Sequence, residues 1–231
     1  MRRLAFVICA LAISCGQASV SNGPTPTAST APSPSASPSP TAVPLPSGWT
    51  AVTKTEFSVG LPPTWRAIEL DPQTVSASFR ALRDTNPTFA QSYDEAALAQ
   101  LANAGLKMFA FDLGPGGTSG GFATNMNISI TALNADVSLD FLAQTSAAQV
   151  EVQLNATRKG LDKVSLGGRD AMRLRATYPL TVASGPLTVA ATQYYVLRGR
   201  DVFVLTFSTR QESKDALAAT FEQIAQTFRI V

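Results

Sequence analysis

The chain has 231 residues, with 18 Lys or Arg, 16 Asp or Glu, two cysteines and no histidine. The missing histidine excludes Ser-His-Asp triads, Cys-His dyads, H-E-x-x-H zinc sites and His-rich metal sites. Arg2 and Arg3 account for the whole basic excess, so the chain beyond them is formally neutral and lacks the cationic surplus with which proteins hold nucleic acid.

Arg2 and Arg3 precede an apolar run from Leu4 to Ile13. A charged start and a short apolar stretch are the parts of an export signal, and a bilayer-spanning helix would need about 20 apolar residues. The run leads into Leu11-Ala12-Ile13-Ser14-Cys15-Gly16, which resembles the bacterial lipobox, with Ala12 where leucine is usual. Residues 1–14 are therefore expected to be a lipoprotein signal peptide, with Cys15 the acylated (palmitate-type) amino terminus that holds the protein to the membrane. Cys9 is the poorer candidate, because bulky Ile8 precedes it. An ordinary secretory cut nearby would leave a soluble protein and no role for Cys15. Several acyl chains on one cysteine anchor stably, whereas one does not.

Residues 15–47 form the expected linker. Between Gln17 and Ser47 there is no charge, and eight of the 15 prolines fall there. Such a segment buries too little apolar surface to offset the entropy of ordering, and proline keeps it extended. Its reach lies between ~30 Å as a coil and ~95 Å as polyproline. Residues 48–231 suffice for one domain with a sizeable core.

Within that domain, strands are expected over 49–53, 57–61 and 65–68, with Pro62 and Pro63 breaking the last two apart. Helical spacing follows twice, in Val75, Phe79 and Leu82, and in Ala97, Leu98 and Leu101 ended by Gly105. Strands over 107–113 and 124–133 flank a glycine-rich loop, Gly114 to Gly121. Ser138 is a good N-cap for a helix reaching about Gln153. Three strands come next. Met172, Leu174, Ala176 and Tyr178 alternate with Arg173, Arg175 and Thr177, and turns are expected at Gly167-Gly168 and at Arg198-Gly199-Arg200. Phe203, Leu205 and Phe207 share one face of the last strand. Leu217, Phe221, Ile224 and Phe228 then form one helical stripe. Hairpins with inserted helices imply an α+β fold, an antiparallel β-sheet covered by helices.

The candidate sites are few. The Gly114–Gly121 loop has backbone N–H groups for an anion, but it lacks a P-loop's G-K-[ST] ending and leads into a strand. Ser119 would need a base, and only a desolvated lysine such as Lys107 is at hand. Arg173, Arg175, Arg198 and Arg200 form either a basic patch or a solvated face whose arginines pair with carboxylates; zero net charge favours pairing. Asp136 and Asp140 bracket a helix start, where carboxylates complement the dipole without any metal. Asp71 before Pro72 reads likewise as a cap, with Glu69 and Asp71 a weak calcium pair at best. No EF-hand loop is present, and no cofactor or metal is expected. Trp65 and Trp49, the latter at the domain edge, could each stack on a sugar ring.

Three segments carry a family resemblance. They are Phe57-Ser58-Val59-Gly60-Leu61-Pro62-Pro63-Thr64-Trp65, Leu166-Gly167-Gly168-Arg169-Asp170-Ala171 leading into an alternating strand, and Tyr195-Val196-Leu197 with Val202-Phe203-Val204-Leu205-Thr206-Phe207 before the closing helix. Together they resemble the PsbP-like superfamily, which includes LpqN-type bacterial lipoproteins. The resemblance covers most of 48–231 and is weakest between Asp84 and Gly105. It implies an α/β/α-like sandwich around an antiparallel sheet and puts Trp65 in the core, whereas Trp49 stays open to stacking. It supplies no shared active site, so no functional residue is carried over.

The expected function is a non-enzymatic binding or accessory module on the extracytoplasmic face of the cell membrane, with an envelope protein, glycan or lipid as partner. A lipid or small-ligand carrier would need an apolar cavity between sheet and helices. A carboxylate-only glycan-cleaving enzyme would need a facing acid pair, with Glu69, Asp71 and Asp94 the first to inspect.

Overall fold

A computed structural model describes residues 44–68, 70, 75–85, 106–119, 121–182 and 184–231. The linker and the helix expected around Ala97, Leu98 and Leu101 lie outside them. The described strands are β1 (Thr50–Thr53), β2 (Phe57–Leu61), β3 (Trp65–Ile68), β4 (Leu106–Asp112), β5 (Thr118–Ser119), β6 (Phe122–Ala123), β7 (Asn125–Ala132), β8 (Thr157–Leu166), β9 (Arg169–Val182), β10 (Gly185–Arg198), β11 (Asp201–Arg210) and β12 (Arg229–Ile230). The helices are α1 (Val75–Thr85), α2 (Leu139–Leu154) and α3 (Lys214–Gln226).

Seven strands form an antiparallel sheet in the order β3-β4-β7-β11-β10-β9-β8. The α+β expectation holds. Alternation divides the sheet residues between two cores. On one face Met126, Ile128, Phe203, Leu205, Phe207, Tyr194 and Val196 pack with Phe221 and Ile224 of α3. On the other, Met172, Leu174, Ala176, Tyr195, Val202 and Val204 meet Leu142, Ala143, Ala147 and Val150 of α2. At the β3 end of that second face, Ile68, Phe109 and Phe111 pack with Phe79 of α1.

Three differences from expectation have physical reasons. Four strands, not three, lie between α2 and α3, because β8 forms an edge of the sheet. Its Arg158, Lys159, Asp162 and Lys163, and a register shift between Arg158 and Gly160, are the charges and bulge that protect an edge and hide the alternation. The first two strands stay out of the main sheet and form a separate one, β1-β2-β12, on the same face as α3. Phe228 completes the apolar stripe from beyond the end of α3. There the Thr227 hydroxyl donates to Ile224 O (2.6 Å) and accepts from Gly60 N–H (2.8 Å), fastening the helix end to β2.

The Gly167-Gly168 turn requires glycine at its first position. Gly167 has φ +58°, and a Cβ there would lie 2.2 Å from the Phe228 carbonyl oxygen. Gly167→Ala is expected to cost roughly 2–3 kcal/mol, since it combines a left-handed backbone with an overlap onto main chain. Urea midpoints compare it with Gly168→Ala, which shares the left-handed backbone (φ +81°) but has open space around it, so the difference between the two reports the overlap.

Candidate functional site

Arg173 on β9 and Tyr194 on β10 are cross-strand partners, both turned toward α3. The Tyr194 hydroxyl donates to Glu222 Oε2 at 2.7 Å, and Arg173 Nη1 donates to the same oxygen at 3.2 Å. Gln226 Nε2 bonds Glu222 Oε1 (3.0 Å) and Ser165 O (2.9 Å). Asp162 on β8 accepts from Arg175 at 2.8 Å and from Arg173 at 3.5 Å. One chain of charges thus ties α3 to β8, β9 and β10.

The protonation states follow from this wiring. Burial alone would raise the Glu222 carboxyl, but hydrogen bonds from Gln226 and Tyr194 and the charge of Arg173 outweigh it and leave the pKa below its ordinary value. Tyr194 is pushed well above the usual phenol range, first by burial and then by the Glu222 carboxylate it serves. Burial works against the charge on Arg173, yet Tyr194, Glu222 and Asp162 hold it more firmly protonated. Glu222 is an engaged carboxylate and Tyr194 a fixed donor. The cluster acts as a lock between α3 and the sheet.

Glu222→Gln removes the carboxylate that both Tyr194 and Arg173 address. The side chain is 39% exposed, so solvent screening limits the expected loss to about 1–2 kcal/mol. A carboxyl with a lowered folded pKa stabilises above its unfolded pKa, and that contribution disappears as pH falls through the folded pKa. The urea-midpoint gap between the native chain and Glu222→Gln should therefore be widest at neutral pH and close in acid. A gap that widens in acid would contradict the assignment.

The remaining arginines are also paired. Arg198 bonds Asp201 (3.4 Å) and Val231 O (2.6 Å), with its guanidinium 5.2 Å from the Phe203 ring centre. Arg200 bonds Asp136 at 2.9 Å. The hydrogen bond from Arg200, helped by its charge, lowers the Asp136 pKa. The carboxylate-paired arrangement is thus the one found, and no cationic patch for anionic polymers forms from these four.

The glycine-rich loop is already occupied by the protein's own carboxylate. Gly114 N–H donates to buried Asp112 Oδ1 (2.9 Å), Gly117 N–H bonds Gly114 O (2.9 Å), and a Cβ on Gly117 would overlap Asp112. An anion would meet negative charge where the cradle reading needs donors. Lys107 is exposed and bonded to Glu56 at 3.3 Å, so it is not the desolvated base that Ser119 would require. Ser138 caps α2, accepting from Phe141 N–H at 3.2 Å. Asp140, in the first turn, pairs with Lys163 at 3.0 Å. Trp65 is buried edge-on to Phe221, and Trp49 is half-buried against the same core, leaving less of its ring for a sugar than an edge position suggested. Glu69, Asp71 and Asp94 fall outside the residues whose side chains are described. Among the described residues no group of three or more His, Cys, Asp or Glu could hold a metal ion.

Under α2 the sheet is partly polar. Ser129, Thr131, Ser146 and Tyr195 line a recess with Leu142, Val202 and Val204, and its volume of about 10 Å³ suits one water. An acyl chain or drug-sized ligand needs a pocket of roughly 300 Å³ or more. The outer surface of α2 differs. Phe141 is 63% exposed and Val152 83%, so the helix is apolar on the side facing solvent as well as on the side facing the sheet. Tyr194, Glu222 and this outer stripe escape sequence reading. The adjacent tyrosines Tyr194-Tyr195 do signal one ring on each sheet face.

No family model matches the chain, and no curated protein matches it. Among solved structures, the chain is similar to PsbP (CyanoP) of the cyanobacterium Synechocystis at 12% identity and TM-score 0.49, over 80% of this chain and 93% of that one. It is similar to LpqN of Mycobacterium tuberculosis, described as involved in cell envelope biogenesis, at 14% identity and TM-score 0.48, over 79% and 90%. The Ran-binding protein Mog1p of Saccharomyces cerevisiae gives 9% identity and TM-score 0.45, over 79% and 95%. PsbP and LpqN, the two names given to the sequence resemblance above, are thus both among the solved structures to which the chain is similar.

Proposed function

We propose that the chain is a bacterial lipoprotein, acylated at Cys15, whose domain serves as a non-enzymatic binding or accessory module on the extracytoplasmic face of the cell membrane. The observation that carries this reading is the order of segments at the start: two arginines, a short apolar run, Ser14-Cys15, and then an uncharged proline-rich spacer. None of the described helices is long and apolar enough to cross a membrane; in this reading the acyl group at Cys15 is the anchor. The domain itself brings no histidine or cysteine, and Arg173, Arg175, Arg198 and Arg200 are bound to its own carboxylates.

The spacer reaches the domain at β1, where Trp49 and Val52 pack into the α3-side core. The face bearing α2 is the other side of the sheet from this entry, and in this reading it is the one that meets an envelope protein, glycan or lipid. Chemical cross-linking of the native envelope is expected to recover a reproducible partner in the membrane fraction, and Cys15→Ser should abolish that recovery. Repeated failure to capture any component, or undiminished capture by the unanchored variant, would contradict the reading.

A further inference from the structure

The outer stripe of α2 is uncharged along three turns. Phe141 and Val152 are eleven residues apart, which on an α-helix is about 16 Å along the axis and only ~20° around it. Between them, on the same line, lie Thr145 and Ala148, both small. The solvent side of a sheet-packed helix is ordinarily polar, yet this one leaves a phenylalanine and a valine in solvent.

The pattern is symmetric about the middle of the helix, at the height of Ser146 and Ala147. Large residues stand at both ends and small ones inside. The flank toward β8 is charged and balanced: Asp140 with Lys163 at 3.0 Å near one end, Glu151 with Arg158 at 2.6 Å near the other. A surface meant for anionic lipid would carry a basic excess, which this rim lacks.

We infer that α2 packs antiparallel against α2 of a second copy of this chain across a two-fold axis. Such an axis sets Phe141 of one copy against Val152 of the other and Thr145 against Ala148, as a self-complementary interface requires. It also lays the Asp140–Lys163 end of one flank beside the Glu151–Arg158 end of its mate, so two cations meet two carboxylates. Trp49 and Val52, near the start of the described chain, pack on the opposite, α3-bearing face. One helix stripe covers less than the ~800 Å² per partner of a standard interface, so the pairing is weak in dilute solution. The anchoring proposed above would strengthen it by confining copies to one surface, but the geometry does not depend on anchoring.

The test uses the chain from residue 15 onward carrying Cys15→Ser, which contains no other thiol. Phe141→Cys plus Val152→Cys in one chain should cross-link to a dimer under mild oxidation. Within one chain the two positions are far beyond the ~4.4–6.8 Å Cα separation a disulfide allows, whereas packed helices bring facing Cα atoms into it. Each single variant should stay monomeric, and an equimolar mixture of the two singles should cross-link. Sedimentation at high micromolar concentration should show about twice the monomer mass for the thiol-free parent and monomer mass for Phe141→Asp, with unchanged melting. A monomeric parent without cross-linking would overturn the inference. So would single variants that cross-link as fast as the pair, or Phe141-dependent binding of the unlipidated chain to anionic vesicles.

Discussion

Cys15→Ser is expected to shift the protein from the membrane fraction almost entirely to the soluble or released fraction. The size of this effect follows from the transfer of hydrocarbon. Each methylene buried in a bilayer contributes about 0.8 kcal/mol, one acyl chain gives only marginal reversible binding, and two or more make release negligible. A thioether-linked diacylglycerol supplies at least two chains at one residue. Serine removes the sulfur that carries them and changes little else. Cys9→Ser serves as the control and should leave the distribution unchanged. Equal membrane association of native chain and Cys15→Ser would move the anchor elsewhere in the molecule.

The largest stability loss is expected at Phe207. This ring has no exposed surface, stacks on Phe221 with centroids 5.0 Å apart, and meets Tyr194 edge-on at 6.0 Å. It joins the central strand β11 to α3 and supports the tyrosine that serves Glu222. Phe207→Ala removes the buried ring and leaves a cavity that well-packed neighbours cannot close, at a cost of about 3–5 kcal/mol. For a domain of this size, that is a fall in Tm of roughly 10 °C or more. Phe141→Ala deletes the same ring from a mostly exposed position and should change stability by no more than about 0.5 kcal/mol. A Phe207→Ala chain that melts with Phe141→Ala would contradict the description of this core.

These contrasts show which features a single sequence carries. The alternation of Met172, Leu174 and Ala176 with Arg173 and Arg175 reports the two sheet faces, because a strand's period is local. Ser138 reports the start of α2 for the same reason. The pairing of β12 with β2, Arg229 to Ser58 and Ile230 to Phe57, joins the two ends of the domain and leaves no local trace. The charged edge strand β8 hides its period under residues selected to discourage pairing.

The candidate sites divide along the same line. That Arg173 and Arg175 share a face is legible, whereas the partners that neutralise them come from Asp162 on the neighbouring strand and Glu222 on a helix 49 residues away from Arg173. The Gly114–Gly121 loop reads correctly as lacking a P-loop ending, but the carboxylate of Asp112 inside it depends on how the loop folds back. The outer stripe of α2 is invisible in the sequence, which places a helix after Ser138 without saying which of its sides is covered. Only the position of the sheet decides that the opposite side of the helix is the covered one.

Intact-mass and peptide mass spectrometry of the processed native protein test the central claim most directly. The account predicts an amino-terminal peptide beginning at Cys15, heavier than its sequence by a diacylglyceryl group and, where further acylated, by one more acyl chain. An unmodified peptide beginning at Cys15, or a chain cut at another position, would contradict it.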